Sequence, residues 1–145
     1  ALNPNNSPGR ITLIHRFGAD SIESNLPPLI EAAKETGSPI LWVCDPMHGN
    51  TESTADGTKT RRFEKISSEL ESAFRVHKKM GTYLGGVHLE LTGENVTECT
   101  GGARGLNDND LSIAYKSPVD PRLNYEQAME IALGIPNLQE KAIMG

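Results

Sequence analysis

The chain has 145 residues, of which 37% are hydrophobic and 23% charged, and a formal net charge of −5. That length supports one domain with a sizeable core. The acidic balance argues against nucleic acid as the main partner, and no apolar run approaches the roughly 20 residues that cross a membrane.

The first apolar run, Ile11–His15, reads as a buried strand and leads directly into Arg16. A helix is predicted over residues 26–36, with Pro27 and Pro28 near its first turn and Gly37 as its stop. The second run, Ile40–Cys44, passes straight into Asp45-Pro46-Met47-His48-Gly49-Asn50-Thr51. A strand therefore ends in an acid, a proline that stops the ladder, a histidine and a polar turn. Lys59-Thr60-Arg61-Arg62 precedes a second helix, predicted over residues 62–80 from the stripe Phe63, Ile66, Leu70, Ala73, Phe74 and His77, with Gly81 as its C-cap. A basic cluster at a helix start opposes the helix dipole, so it faces either an anion or solvent, and solvation is the simpler reading. A third strand is predicted over residues 87–91, then a glycine-rich loop over 92–105 and a short helix near 108–115. The last helix starts at Asn124, which with Gln127 has the form of a capping box.

Strands alternating with helices predict an α/β fold with a parallel sheet and right-handed crossovers, and nothing divides the chain into separate domains. In such an array the residues just past each strand share one rim, where α/β proteins build their sites. The rim residues are His15 with Arg16, Asp45 with His48, His88 and Glu90, followed by Glu94, Glu98 and Asp120 from the connecting loops. Imidazole and carboxylate donors suit Mn, Fe, Co or Zn, and an arginine beside them suits a phosphate or carboxylate. Each residue has a plainer reading. His48 can hydrogen-bond its own turn, His88 can be structural, and Arg16 can form an ordinary salt bridge. Glu90 lies in an apolar run, where an unpaired carboxylate would be costly, so a ligand or ion-pair role is favoured. Cys44 and Cys99 form neither a disulfide framework nor a CxxC pair and read as reduced thiols.

Four blocks carry a resemblance. They are Asp45-Pro46-Met47-His48-Gly49-Asn50-Thr51; Lys59-Thr60-Arg61; Gly85-Gly86-Val87-His88-Leu89-Glu90-Leu91-Thr92-Gly93-Glu94-Asn95-Val96-Thr97-Glu98-Cys99; and Asp120-Pro121-Arg122-Leu123-Asn124. In that order they resemble the class II, or plant-type, 3-deoxy-D-arabino-heptulosonate-7-phosphate (DAHP) synthases, from Arg10 to about Leu133. The resemblance implies a (β/α)8 barrel, of which this chain would be a single partial domain over residues 1–145, about three βα units forming strands six to eight. It implies condensation of phosphoenolpyruvate with erythrose 4-phosphate at the head of the shikimate pathway, with a divalent metal, Mn2+ or Co2+ foremost and Zn2+ or Fe2+ compatible. By motif, His48, Glu90 and Asp120 would be metal ligands, Arg16 would hold phosphoenolpyruvate, and Asp45 and Lys59 would line the site in catalytic roles. A homo-oligomer in the cytoplasm, or in a plastid if the source is a plant, is implied as well.

The departures from the family pattern are equally definite. The family's fourth ligand, a cysteine, lies in its N-terminal half, as do further phosphate-binding arginines and lysines and a Glu-Arg pair on strand five, and this chain has no counterpart to them. Many family members carry a cysteine just before the aspartate of the last block; Val119 stands there, so a redox pairing with the ligand cysteine is not expected. The non-Met start and the missing half lead to the expectation that the remaining N-terminal half of the barrel is a required partner, and that these residues alone show no condensation activity. The competing readings are an inactive remnant with an assembly or regulatory role and an unrelated metal-dependent hydrolase.

Overall fold

The computed structural model describes residues 2–144. Its elements run β1 (Ile11–His15), α1 (Ile22–Glu35), β2 (Ile40–Cys44), β3 (Thr51–Ser53), β4 (Lys59–Arg61), α2 (Phe63–Lys79), β5 (Leu84–Val87) and α3 (Tyr125–Met144). β1, β2 and β5 pair in parallel in that order, with Ile11 opposite Ile40 and Cys44 opposite Val87. β3 and β4 form a separate antiparallel hairpin. The protein is thus an α/β structure built on a parallel sheet, as the alternation of elements predicts. None of the described helices is long and apolar enough to cross a membrane.

The core lies between the sheet and its helices. Ile22, Leu26 and Ile30 of α1 recur every fourth residue and are fully buried, as are Ile66 and Ala73 of α2, against Trp42 and Cys44 of β2. Burying each large aliphatic side chain contributes roughly 1.5–3 kcal/mol before the entropy of ordering it. α3 begins as predicted. The Gln127 amide donates to Asn124 Oδ1 at 3.0 Å and the Asn124 amide to Gln127 Oε1 at 3.2 Å, a reciprocal capping box.

Four expectations need correction. α1 begins at Ile22, four residues early, because the Gly18 carbonyl accepts from Ser21 and Ile22 and nucleates the turn. Pro27 and Pro28 therefore lie inside the helix; the donors they lack would have met the carbonyls of Glu23 and Ser24, two exposed residues. The third strand ends at Val87, where it was expected to begin. Gly85 and Gly86 lie inside the strand, and a Cβ at Gly85 would fall 2.4 Å from Leu41 Cδ1. Residues 108–115 form no α-helix; only a one-turn 3-10 segment, Asp108–Asp110, is present. Finally, a fourth parallel pass exists as a single bridge, Leu91 to Leu123, just before α3.

Between sheet and α2 lies a buried histidine pair. His15 Nε2 is 3.3 Å from His77 Nε2, and His77 Nδ1 is 2.7 Å from Thr82 Oγ1. Burial lowers both pKa values from 6.5 to about 4, with Asp45 opposing the change at His15 and His15 adding to it at His77. Both imidazoles are therefore neutral in the folded state and protonate more readily unfolded. Their stabilising effect is complete above pH 6.5 and is lost as pH falls toward 4. Replacing His77 with Gln should flatten the fall in denaturation midpoint between pH 6.5 and 4; an unchanged slope would rule the pair out as its source.

Candidate metal centre

β2 delivers the first part of the site. Asp45, at its end, is buried, and its Oδ1 accepts from the amides of Met47 at 2.9 Å and His48 at 3.2 Å. Its Oδ2 lies 2.6 Å from His48 Nδ1. A carboxylate there fixes the tautomer with hydrogen on Nδ1 and leaves the Nε2 lone pair free, the arrangement of metal-ligating histidines. The turn is clamped from behind. Gly49 meets Gly18 so closely that a Cβ would fall 2.4 Å from the Gly18 nitrogen, and Gly18 itself has a φ of +86° that favours glycine. Asn50 donates to the Pro46 carbonyl at 2.9 Å and to Glu69 Oε2 at 2.7 Å, while its Oδ1 accepts from Ala19.

Glu90, past β5, brings Oε1 to 3.5 Å from His48 Nε2. Its other oxygen is held by Arg61 Nη1 at 2.5 Å. Asp120 enters from the loop before α3, with Lys59 Nζ 3.3 Å from its Oδ1. One ligand atom from each of His48, Glu90 and Asp120 can be chosen so that all lie within 4.8 Å of one another. Their side chains are 29, 29 and 27% exposed, open enough for an ion and substrate to reach them. One imidazole nitrogen and two carboxylate oxygens at that spacing fit a divalent transition metal.

Arg16 follows β1 and is exposed, with no hydrogen bond or ion pair among the described residues. The ordinary salt bridge that the sequence also allowed is not formed among the described residues. The backbone just past it is fixed, because Glu69, fully buried on α2, accepts from the amides of Phe17 at 2.9 Å and Gly18 at 3.1 Å. Burial raises the Glu69 pKa, and the bonds from Phe17, Gly18 and Asn50 oppose the rise. Sequence reasoning missed this residue, although a carboxylate beside Ile66, Leu70 and Ala73 on the apolar stripe was a visible signal.

Other rim candidates have different roles. Glu98 is fully buried and serves the Asp120 loop, accepting from the amides of Lys116, Ser117 and Arg122 and from the Arg122 guanidinium. Burial would raise its pKa, but Arg122 and those amides hold it below the usual carboxylate range. Glu94 pairs with Lys116 at the surface. His88 lies beside His48 with ring centroids 6.4 Å apart but is outside the metal-competent group. The basic cluster at residues 59–62 is not simply solvated: Lys59 pairs with Asp120, Arg61 with Glu90, and Arg62 with Glu52 and Asp108. Cys44 and Cys99 are free, buried thiols outside the group, and burial pushes Cys99 up to about 12.

The chain is similar to proteins whose names describe one enzyme. It is 50% identical over 131 residues to the phospho-2-dehydro-3-deoxyheptonate aldolase AroG of Mycolicibacterium smegmatis, covering 90% of this chain and 28% of that protein. It is 54% identical over 133 residues to the phospho-2-dehydro-3-deoxyheptonate aldolase of Neurospora crassa, with the same coverage of each, and 47% identical over 131 residues to that of Streptomyces coelicolor, covering 90% of this chain and 29% of that protein. The chain thus spans under a third of the length of these relatives. The model of the Class-II DAHP synthetase family matches residues 1–136, nearly everything from the first strand into the last helix. With the four motif blocks inside that match, the chain belongs to the class II DAHP synthase family.

Proposed function

We propose that this chain is the part of a class II DAHP synthase that carries three ligands of a divalent metal and one binding group for phosphoenolpyruvate. The observation that carries the reading is the convergence of His48, Glu90 and Asp120, from three separate segments, to within 4.8 Å. The donor set fits Mn2+ or Co2+, and accommodates Zn2+ or Fe2+. When bound, such an ion supplies Lewis acidity to the aldehyde oxygen of erythrose 4-phosphate.

The chain's own groups account for the rest. Asp45 takes the hydrogen bond of His48 Nδ1 and so leaves Nε2 to face the centre, and Arg61 occupies Glu90 Oε2 so that Oε1 faces the histidine. Arg16 offers an unpaired fork to the phosphate or carboxylate of phosphoenolpyruvate, on a backbone pinned by Glu69. Lys59 is half-exposed beside Asp120, where its ammonium offsets the carboxylate charge and can reach a substrate oxygen.

The architecture is read as the terminal run of units of a (β/α)8 barrel. Ile14 and Leu41 are 52 and 40% exposed on the sheet face away from the helices, the face a closed barrel would fill. Tyr125, Met129 and Leu133 form an exposed stripe at four-residue steps on α3. The remaining length seen in the relatives is the natural cover for both surfaces. The reading is tested by phosphate release from phosphoenolpyruvate in the full chain, which should require both erythrose 4-phosphate and the metal; a hydrolase would release phosphate without the aldose.

A further inference from the structure

The hairpin β3–β4 brings one buried arginine to the middle of the centre. Arg61 is fully buried, and its guanidinium touches all three ligand-bearing segments. Nε donates at 2.8 Å to Thr51 Oγ1, three residues past His48. Nη1 donates at 2.5 Å to Glu90 Oε2 and at 2.5 Å to the carbonyl of Pro121, the residue after Asp120. No other described side chain bonds to all three segments.

The Nε bond to Thr51 lies within the hairpin, whose two strands pair Thr51 with Arg61. The backbone of β4 is already paired on both sides, through the ladder to β3 and through the Thr100 amide, which donates to the Arg61 carbonyl at 3.0 Å. Thr60 adds a bond from its hydroxyl to the Glu98 carbonyl. Arg61 Nη2, meanwhile, is buried without a hydrogen-bond partner among the described residues, a cost that a methionine of similar reach would avoid. With the backbone of its strand already paired, the burial of this group is best explained by what Nη1 holds.

We propose that Arg61 is a positioning residue of the metal centre: it sets the spacing of His48, Glu90 and Asp120 and confines Glu90 to one coordinating oxygen. This rests on the metal reading above. With Oε2 engaged by Arg61, only Oε1 is presented to an ion. Without the guanidinium both oxygens become available and the Pro121 carbonyl loses its tether, so Glu90 and Asp120 drift independently.

The test is Mn2+ binding to the full chain, followed by calorimetry and by electron paramagnetic resonance, in the unaltered protein and in Arg61→Lys and Arg61→Met. Both variants should bind Mn2+ about 10- to 100-fold more weakly, as removal of groups that hold metal ligands typically does, with Arg61→Lys the less affected. Their resonance line shape should change as Glu90 gains a second coordinating oxygen, a readout that loss of fold stability alone does not move. Unaltered affinity and line shape in both variants would overturn the proposal while leaving the metal reading intact. Unfolding of Arg61→Lys, seen as loss of far-ultraviolet circular dichroism, would assign the residue to the fold and overturn it as well. Failure of the unaltered chain to bind Mn2+ would remove the metal reading and this proposal together.

Discussion

Replacing His48 with alanine in the full chain is expected to lower DAHP formation by about a thousand-fold, on the order of 4 kcal/mol of transition-state stabilisation. The fold should survive, because the bonds that hold Asp45 at this turn come from the backbone amides of residues 47 and 48, which the substitution leaves in place. What is lost is the only nitrogen donor of the group. Asp45→Asn should approach the same result by a different route. Its amide can present an N–H toward His48 Nδ1, which favours the tautomer with hydrogen on Nε2 and blocks the lone pair. A His48→Ala protein that keeps both Mn2+ affinity and turnover would show that the histidine merely caps its own turn. Steady-state kinetics with a Mn2+ titration checks both variants.

The second large effect concerns Arg16. Arg16→Ala should raise the KM for phosphoenolpyruvate by about 100-fold or more, since each charge-assisted hydrogen bond contributes about 1.5–3 kcal/mol and a guanidinium makes two to one anion. Mn2+ affinity should be nearly unchanged, because Arg16 contacts none of the three ligands. Stability should also hold, because Arg16 is exposed and the anchoring in that loop is done by the amides of Phe17 and Gly18 on Glu69. The separation matters. Loss of phosphoenolpyruvate binding with an intact metal site is what a condensing enzyme predicts, whereas an unrelated metal-dependent hydrolase predicts no such dependence on Arg16. An unchanged KM would remove Arg16 from the site.

His48 stood out because it closely follows an apolar run that marks a parallel strand, whereas Asp120 follows no such run, and the set of His48, Glu90 and Asp120 was named only through the resemblance of the motif blocks. Asp45 and His48 follow β2 directly, and the structure adds only how one holds the other. The supporting charges were not legible. Arg61, Glu69 and Glu98 are each fully buried, and their partners lie 29, 52 and 24 residues away, beyond any local pattern. A solvated basic cluster was the simpler reading of Lys59-Thr60-Arg61-Arg62 because a sequence does not show that Glu90, Glu52 and Asp108 come to meet it. The hairpin that carries Arg61 left one signal, Asp56-Gly57, a turn pair that closes with the Thr54 amide donating to the Thr58 carbonyl at 2.9 Å. Its three-residue strands are too short for a period of two to stand out. Gly85-Gly86 lie inside a strand that was expected to start only at Val87. The glycines are there to let β5 approach Leu41 and Val43, a packing demand invisible without the neighbouring strand.

Completed by the rest of the chain, this rim is expected to be a metal-dependent condensation site. Its most direct test is phosphate release from phosphoenolpyruvate by the full chain, with and without erythrose 4-phosphate, before and after chelation and on return of Mn2+. Release is expected only with both the aldose and the metal, abolished by chelator and restored by Mn2+. Release without erythrose 4-phosphate, or turnover indifferent to chelator, would contradict it.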